Sequence, residues 1–433
     1  MKERDGVKKA GRTRWWIVWT IFFSTVINYI SRQTFSVLAP LITAQFHLTH
    51  TDLAKILGAF QISYAVTWLA GGILLDAIGT RLGLAIAVVF WSTVNILTGF
   101  ASSVTSFAFF RLLLGVGEGF NWPGASKTVA EWFPSEERSI AVAIFDSGSS
   151  VGGAVAAMAV PLIALRFGWR MAFVVSGLLG FVWLIFWLRV YHPLDRHPRV
   201  SAAERALIEA GREAPVASGE RGIRRWAKLA RDRNVWGIVL GRSLTDPIWW
   251  FYIFWLPQYL SDARGFSLEK IAAFAWVPFI AADIGNFTGG LISGYCIRKG
   301  ISVVRARTYV CAFSCLPILA GIPAAMVHDA YLALGLICFA LWGFASWSTM
   351  GLTLPSDLLP QDVVASVTGL SGLAAGLISA GFTMAVGVLA DRYSYFPAFV
   401  IAGLMPLFAT ASLFLFIREP ERPKSAQEAT AKA

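Results

Sequence analysis

Three charged side chains lie inside long apolar runs of the sequence, where they could hold an anion and exchange a proton. Arg32 lies deep in the first run, and Arg111 and Glu118 lie two helical turns apart in the fourth. A guanidinium is a rigid fork of donors that matches a carboxylate. A glutamate among apolar helices can take up or release a proton as its surroundings change. These residue types therefore predict an anion site beside a proton site.

A structural explanation of the same residues stays open at this point. Arg32 could snorkel to a membrane surface, and Arg111 and Glu118 could simply neutralise each other or bind other helices. An arginine at the centre of a bilayer costs at least about 2.5–3.5 kcal/mol unless it faces a cavity or a partner. That cost favours a functional role for Arg32.

Other polar residues also lie inside the apolar runs. Asp146 in the fifth run is either a second proton site or a partner of Lys127. Asp283 and Asn286 in the eighth run add further polar positions inside the membrane.

A proline and an aromatic group mark the seventh run. Pro247 is predicted to break the helix there, so that Asp246 can cap the resumed segment. Trp249, Trp250 and Tyr252 follow directly. These rings could stack on a sugar-like ring, or they could serve as packing or as an interfacial belt.

The elements that must position these residues are membrane-spanning helices. The chain has 433 residues, 56% apolar content, 15% charged residues and a mean hydropathy of +0.61, which excludes an ordinary soluble protein. The apolar runs are continuous rather than alternating, so they predict helices and not a membrane β-barrel. We expect an all-α membrane protein with twelve transmembrane helices in two six-helix halves. The runs cover residues 15–39, 52–75, 82–101, 104–131, 138–166, 169–191, 235–262, 268–296, 303–327, 330–358, 363–392 and 395–417.

The positive charges predict the orientation and the boundaries of the domains. The net charge is +11, and most of the 37 Lys and Arg residues fall in loops on one side of the predicted bundle. Both termini and the central loop are therefore predicted to be cytoplasmic. The predicted segments are a cytoplasmic tail (1–14), a six-helix bundle (15–191), a cytoplasmic linker (192–234), a second six-helix bundle (235–417) and a cytoplasmic tail (418–433).

The linker has its own local signals. Ser201 and Glu204 form a capping-box pattern that opens a short amphipathic helix. The basic segment from Arg221 to Arg233 is interleaved with Trp226 and Leu229, which suits a helix lying on an anionic inner leaflet.

An internal repeat relates the two halves. An offset of 226 residues superposes Arg166–Gly177 on Arg392–Gly403, and it also superposes Glu131 on Asp357. Each half has an even number of spans, so the halves share one orientation.

The turn after the second run carries a small-residue motif, Gly72 to Arg81, with Asp76 and Arg81 bracketing a tight bend. It resembles the signature loop of the major facilitator superfamily. The resemblance implies that Asp76 and Arg81 help to latch the cytoplasmic side shut. The equivalent acid position in the second half is Gly294.

The sequence lacks the residue patterns that an enzyme active site or a metal site needs. The five histidines lie in predicted loops without metal-ligand spacing, and the four cysteines lie in apolar stretches. We expect no cofactor, no metal, no disulfide framework, no nucleic-acid partner and no catalytic site. The internal repeat and the buried charges disfavour a receptor or a channel.

Over nearly its whole length the sequence resembles the anion:cation symporter family of the major facilitator superfamily, and within it the bacterial hexuronate transporters. The segments that carry the likeness are Asn28–Arg32, Gly72–Arg81, Arg111–Glu118, Glu131–Pro134 with Arg138, Thr245–Tyr252, Phe254–Leu260 and Pro278–Asn286.

The resemblance implies proton-driven uptake of a monocarboxylate sugar acid, such as glucuronate or galacturonate, by alternating access. It also implies a monomer in a bacterial inner membrane. Arg32 and Arg111 would hold the anion, Tyr29 and Tyr64 would contact its hydroxyls, and Glu118 would take part in proton coupling. Trp249 and Tyr252, from the aromatic group after Pro247, are further candidates for contact with the substrate.

One departure from the family concerns the proton. Many members have an aspartate directly before the helix-one arginine, where this chain has Ser31, and Asp146 could substitute for it. The alternative function is a carrier of the same superfamily for another organic anion, such as an aldonate, a tartrate-like acid or an aromatic carboxylate.

Overall fold

The computed structural model describes residues 11–210, 229–359 and 361–419. This part of the chain is helical. The α-helices are α1 (Thr13–Phe46), α2 (His50–Ile78), α3 (Thr80–Thr98), α4 (Val104–Glu118), α5 (Asn121–Trp132), α6 (Ser135–Phe167), α7 (Trp169–Val190), α8 (Ala202–Ala210), α9 (Arg233–Arg264), α10 (Leu268–Phe274), α11 (Val277–Arg298), α12 (Val303–Ile318), α13 (Gly321–Met326), α14 (Ala330–Leu358), α15 (Gln361–Arg392) and α16 (Phe396–Phe416).

Each of the twelve predicted spans is present, either as one helix or as two helices that follow one another directly. Within the described residues, nine segments are long and apolar enough to cross a membrane. The other three are α1, α4 with α5, and α9, which contain Arg32, Arg111, Glu118, Arg242 and Asp246. The all-helical structure agrees with the fold class predicted from the apolar runs.

Short turns and small residues bring the helices together. Gly79 and Gly168 join α2 to α3 and α6 to α7 with φ angles of 81° and 85°, a region that favours glycine. A Cβ at Gly152 on α6 would lie 2.5 Å from the carbonyl oxygen of Val26 on α1. This close approach of small residues is how helices pack where no hydrophobic effect drives them together.

The internal repeat recurs in the contacts of two acidic side chains. Glu131 at the end of α5 accepts from Thr80 Oγ1 at 2.8 Å, at the start of α3. Asp357 at the end of α14 pairs with Arg307 near the start of α12. The same offset that aligns Glu131 with Asp357 brings Thr80 next to Arg307, so the acids hold equivalent helix ends. The domain boundaries stay a prediction.

Two local predictions need correction. Pro247 does not break its helix, because α9 is continuous from Arg233 to Arg264. Neighbouring helices and Ser or Thr side chains can compensate a proline inside a membrane bundle. Asp246 does not act as a cap and instead pairs with Arg242 at 3.0 Å.

The linker is only partly described. Ser201 Oγ accepts from the backbone N–H of Glu204 at 3.1 Å, as the capping box predicts. The Glu204 carboxylate does not complete the box but pairs with Arg14 on α1 at 3.1 Å. Residues 221–228 of the predicted leaflet-bound helix lie outside the described residues.

Candidate functional site

A cavity of about 810 Å³ lies between the two halves, lined by α1, α2, α5 and α6 on one side and by α9, α11, α14 and α15 on the other. We call the end of the bundle where α1 begins the terminal face, and the opposite end the far face. The cavity extends from Arg32 in the middle of α1 to Arg138 near the start of α6, at the terminal face. Its polar and aromatic lining includes Tyr29, Arg32, Tyr64, Trp68, Trp122, Arg138, Asp146, Ser149, Ser150, Arg242, Asp246, Trp249, Trp250, Asn286, Ser348, Thr349 and Thr368.

Arg32 forms the buried end of this cavity. Its Nε donates to Glu118 Oε2 at 3.0 Å, and its Nη2 donates to Asn28 Oδ1 at 3.0 Å. The guanidinium carbon lies 4.5 Å from the ring centroids of both Tyr29 and Tyr64, which also line the cavity. Arg32 is 1% exposed, so it does not snorkel to a membrane surface. Aromatic faces stabilise the cation while leaving the cavity side open to an anion.

Glu118 and Arg111 lie behind Arg32, and neither lines the cavity. Both are fully buried. Glu118 pairs with Arg32 rather than with Arg111, and its Oε1 has no hydrogen-bond partner among the described residues. Arg111 Nη1 donates to the Arg32 carbonyl oxygen at 3.1 Å, while its Nε and Nη2 have no partner in that part of the chain. Arg111 and Glu118 therefore do not pair with each other, and each instead contacts Arg32 on another helix, α1.

The structure separates the two aromatic residues predicted for substrate contact. Trp249 lines the cavity and stacks on Phe344, with ring centroids 5.8 Å apart. Tyr252 lies outside the lining and packs at 6.0 Å against Phe399 on α16. Tyr252 lies one helical turn beyond Trp249 toward the far face, and there its ring contacts α16 instead of the cavity.

Asp146 lines the cavity from α6. Of its two predicted roles, the pairing with Lys127 is wrong, because Lys127 Nζ lies 2.6 Å from Asp76 Oδ1 and donates to the Leu75 carbonyl oxygen at 3.0 Å. The role of Asp146 as a second proton site stays a prediction.

The predicted latch residues make their contacts inside the N-terminal half. Asp76 at the end of α2 pairs with Lys127 on α5, and Arg81 Nη2 donates to the Leu188 carbonyl oxygen on α7 at 2.6 Å. Within the described ranges, neither pairs with an ion across the cavity. The terminal face is correspondingly open.

A second charged pair lines the cavity from the C-terminal half, and the sequence analysis assigned it no binding role. Arg242 Nε lies 3.0 Å from Asp246 Oδ2, and the guanidinium carbon lies 5.6 Å from the Trp68 ring centroid on α2. Arginine and aspartate four residues apart in an apolar run are the signal that could have found this pair.

The far face is closed by a polar cluster that joins the halves. His50 at the start of α2 contacts Asp391 through Nδ1 at 2.7 Å and Asp262 through Nε2 at 2.9 Å. Tyr395 also donates to Asp262 at 2.8 Å, and Thr51 donates its N–H to Asp391 at 2.8 Å. Because α2 also packs along α15, this end of the cavity is sealed.

No group of three or more His, Cys, Asp or Glu residues that could hold a metal ion exists within the described ranges. The four cysteines are free thiols.

Comparison with known sequences decides the family. Residues 21–383 match the model of the Major Facilitator Superfamily. The chain belongs to the Major Facilitator Superfamily. It is a multi-pass membrane transporter and not an enzyme, as the sequence analysis predicts.

Curated relatives and solved structures agree with this assignment. The chain is 31% identical over 426 residues to a hexuronate transporter of Escherichia coli strain K12, covering 98% of each chain. It is 30% identical over 428 residues to a D-galactonate transporter of Escherichia coli O6:H1, covering 96% of this chain and 98% of the relative. It resembles the inward-facing, unoccupied structure of a bacterial homologue of the human lysosomal transporter Spinster, with a TM-score of 0.76, 16% identity and coverage of 96% and 100%. At that identity the structural likeness shows the fold alone.

Proposed function

We propose that this protein carries a sugar-acid anion, a hexuronate such as glucuronate or galacturonate, together with protons across a bacterial inner membrane. The observation that carries the proposal is the Arg32–Glu118 pair at the buried end of an open cavity. The relatives named for hexuronate and D-galactonate transport support a sugar acid as the substrate class.

The anion binds through Arg32. Its guanidinium is the charged group at the deepest point of the cavity, and Tyr29 and Tyr64 beside it have hydroxyls that suit a polyhydroxy acid. Arg111 lies behind Arg32. When Glu118 is ionised, Arg32, Arg111 and Glu118 together carry a net charge of +1. That positive charge attracts the substrate carboxylate into the cavity, where the Arg32 guanidinium can pair with it.

Coupling follows from competition for one guanidinium. Glu118 occupies Arg32 Nε at 3.0 Å, so an ionised Glu118 competes with the substrate carboxylate. A proton on Glu118 removes the competitor and leaves both arginines to the anion. Linkage is reciprocal, so anion binding and proton binding favour each other. Asp146 is a candidate for a second proton, since it lines the same cavity.

Alternating access assigns roles to the two faces. We place the terminal face in the cytoplasm, as the distribution of Lys and Arg predicts, so the structure represents an inward-open state. Asp76 and Arg81 then gate the cytoplasmic side, and they would exchange their contacts within the N-terminal half for contacts across the cavity when that side closes.

The alternative is a carrier of another organic anion, and the D-galactonate relative favours an aldonate among these. An aldonate has one carboxylate and would use Arg32 in the same way.

The test is uptake of radiolabelled glucuronate into proteoliposomes that contain the purified protein, with and without an inward-directed pH gradient. The proposal predicts accumulation that requires the gradient. If galactonate is accumulated and glucuronate is not, the carrier mechanism stands and the hexuronate assignment is wrong.

A further inference from the structure

The cavity has a second polar site on the wall opposite Arg32, formed by Arg242 and Asp246 on α9 with Trp68 on α2 facing them. The two charged side chains are largely shielded, with side-chain exposures of 14% and 21%, yet both line the cavity. Nothing in the carboxylate clamp at Arg32 uses them.

The pair keeps hydrogen-bonding capacity for a ligand. Arg242 Nε lies 3.0 Å from Asp246 Oδ2, and Arg242 Nη1 donates to the Thr368 carbonyl oxygen and to Ser371 Oγ, each at 3.4 Å. Within the described residues, Arg242 Nη2 and Asp246 Oδ1 form no hydrogen bond. A donor and an acceptor therefore lie side by side, which is the arrangement that binds a hydroxyl group, since a hydroxyl both donates and accepts.

The Arg242–Asp246 pair lies where the end of a short sugar acid opposite its carboxylate would lie when that carboxylate binds at Arg32. Asp246 lies one helical turn before Trp250 on α9, and Trp250 lies 5.4 Å from the Arg32 guanidinium carbon. On α2, Tyr64 contacts Arg32 while Trp68, one turn away, contacts Arg242. One to two helical turns, about 5–11 Å along an axis, separate the sites, a range that includes the length of a six-carbon acid.

Charge at this second site decides what the far end of the substrate can be. The Arg242–Asp246 pair has no net charge, so it offers nothing to offset a second substrate carboxylate. That carboxylate would also lie beside the Asp246 carboxylate, and like charges at short range in a shielded site repel strongly.

We propose that Asp246 is a specificity-determining residue that makes the carrier accept monocarboxylate sugar acids, through their terminal hydroxyls, and reject dicarboxylates. The inference rests on the proposed function, because it assumes that the substrate carboxylate binds at Arg32.

The test compares D-gluconate with D-glucarate, which differ only in a terminal hydroxymethyl group or carboxylate. Each competes against radiolabelled glucuronate for uptake into proteoliposomes, and the ratio of their inhibition constants is measured. The wild type is expected to prefer gluconate. Asp246→Asn removes the negative charge, leaves Arg242 free for a carboxylate, and is expected to move the ratio toward glucarate by about tenfold, or about 1.4 kcal/mol.

Asp357→Asn is the matched control, because Asp357 pairs with Arg307 in the same half but lies outside the cavity lining. It should leave the ratio unchanged. Asp246→Ser provides a second variant without the charge, in case Asp246→Asn does not fold. An unchanged ratio in a folded, active Asp246 variant overturns this inference alone. A wild type that takes up no sugar acid overturns the proposed function and the inference together.

Discussion

At the scale of single residues, Arg32 is the group on which anion binding depends most. We expect Arg32→Ala to lower the affinity for glucuronate by at least about 100-fold, or about 2.7 kcal/mol, measured by equilibrium binding to the purified protein. The loss of the guanidinium also leaves Glu118 buried without its partner, and breaking such a pair costs about 3–5 kcal/mol of stability.

A double variant separates binding from folding. Arg32→Ala with Glu118→Gln leaves no buried carboxylate without its partner and keeps the net charge of +1 that the three groups have in the wild type, so the thermal unfolding midpoint should recover while binding stays absent. Binding at the wild-type affinity in either variant would exclude Arg32 as the anion site.

Arg111 does not line the cavity in this conformation and contacts the site through Arg32. It donates to the Arg32 carbonyl oxygen and its guanidinium lies 4.5 Å from the Phe60 ring centroid. We expect Arg111→Ala to abolish glucuronate binding too, because it removes positive charge from the site and the support of the Arg32 backbone. Arg264→Ala is the control, since Arg264 contacts Tyr259 and the α13 end, away from the cavity. Normal binding by Arg111→Ala would contradict a role for this arginine in the inward-open site.

At the scale of helices, the far-face cluster depends on the protonation of one imidazole. His50 lies within hydrogen-bond distance of two carboxylates, one through each ring nitrogen. A neutral imidazole has only one N–H, so only the imidazolium donates to both. The groups that face it are Asp262 on α9, Asp391 on α15 and Tyr395 directly before α16. Loss of the proton removes one link between the halves.

We therefore expect His50→Gln, or a rise in pH in the wild type, to increase the population in which the far face is open. Spin labels at Lys55 on α2 and Tyr393 beyond α15, in a cysteine-free background, report the distance between the halves. The long-distance population should grow. His47→Gln is the control because His47 is exposed at the end of α1. Identical distance distributions for His50→Gln and the wild type would show that this cluster does not hold the far face closed.

The helices themselves were the part of the structure most readily predicted. Continuous apolar runs fix the spans because only helices satisfy the backbone inside a bilayer. The prediction failed at Pro247, since a proline signals a break only when no neighbouring helix compensates it. Of the aromatic residues after that proline, Trp249 and Trp250 line the cavity and Tyr252 packs against Phe399.

At the scale of the whole molecule, two halves enclose one cavity that is open at the terminal face and sealed at the far face. Arg32 could be assigned to a cavity from the sequence, because a buried cation in an apolar run needs a partner or a cavity, whereas the roles of Tyr29 and Tyr64 came from the family resemblance. The pairing of Glu118 with Arg32 could not be predicted, since it depends on the packing of α4 against its neighbours. The Arg242–Asp246 pair was missed for a different reason: Asp246 was expected to cap the segment after Pro247, although an arginine and an aspartate four residues apart on one helix signal such a pair.

The central claim is that Glu118 exchanges its hold on Arg32 for a proton when the anion binds. The most direct measurement compares two assays of glucuronate in proteoliposomes, for the wild type and Glu118→Gln: counterflow exchange without a gradient, and accumulation driven by an inward pH gradient. Glu204→Gln is the matched control, because Glu204 is also buried and paired with an arginine, Arg14, but lies outside the cavity lining. We predict that Glu118→Gln keeps exchange and loses accumulation, whereas Glu204→Gln keeps both. Gradient-driven accumulation by Glu118→Gln at the wild-type level would contradict the claim.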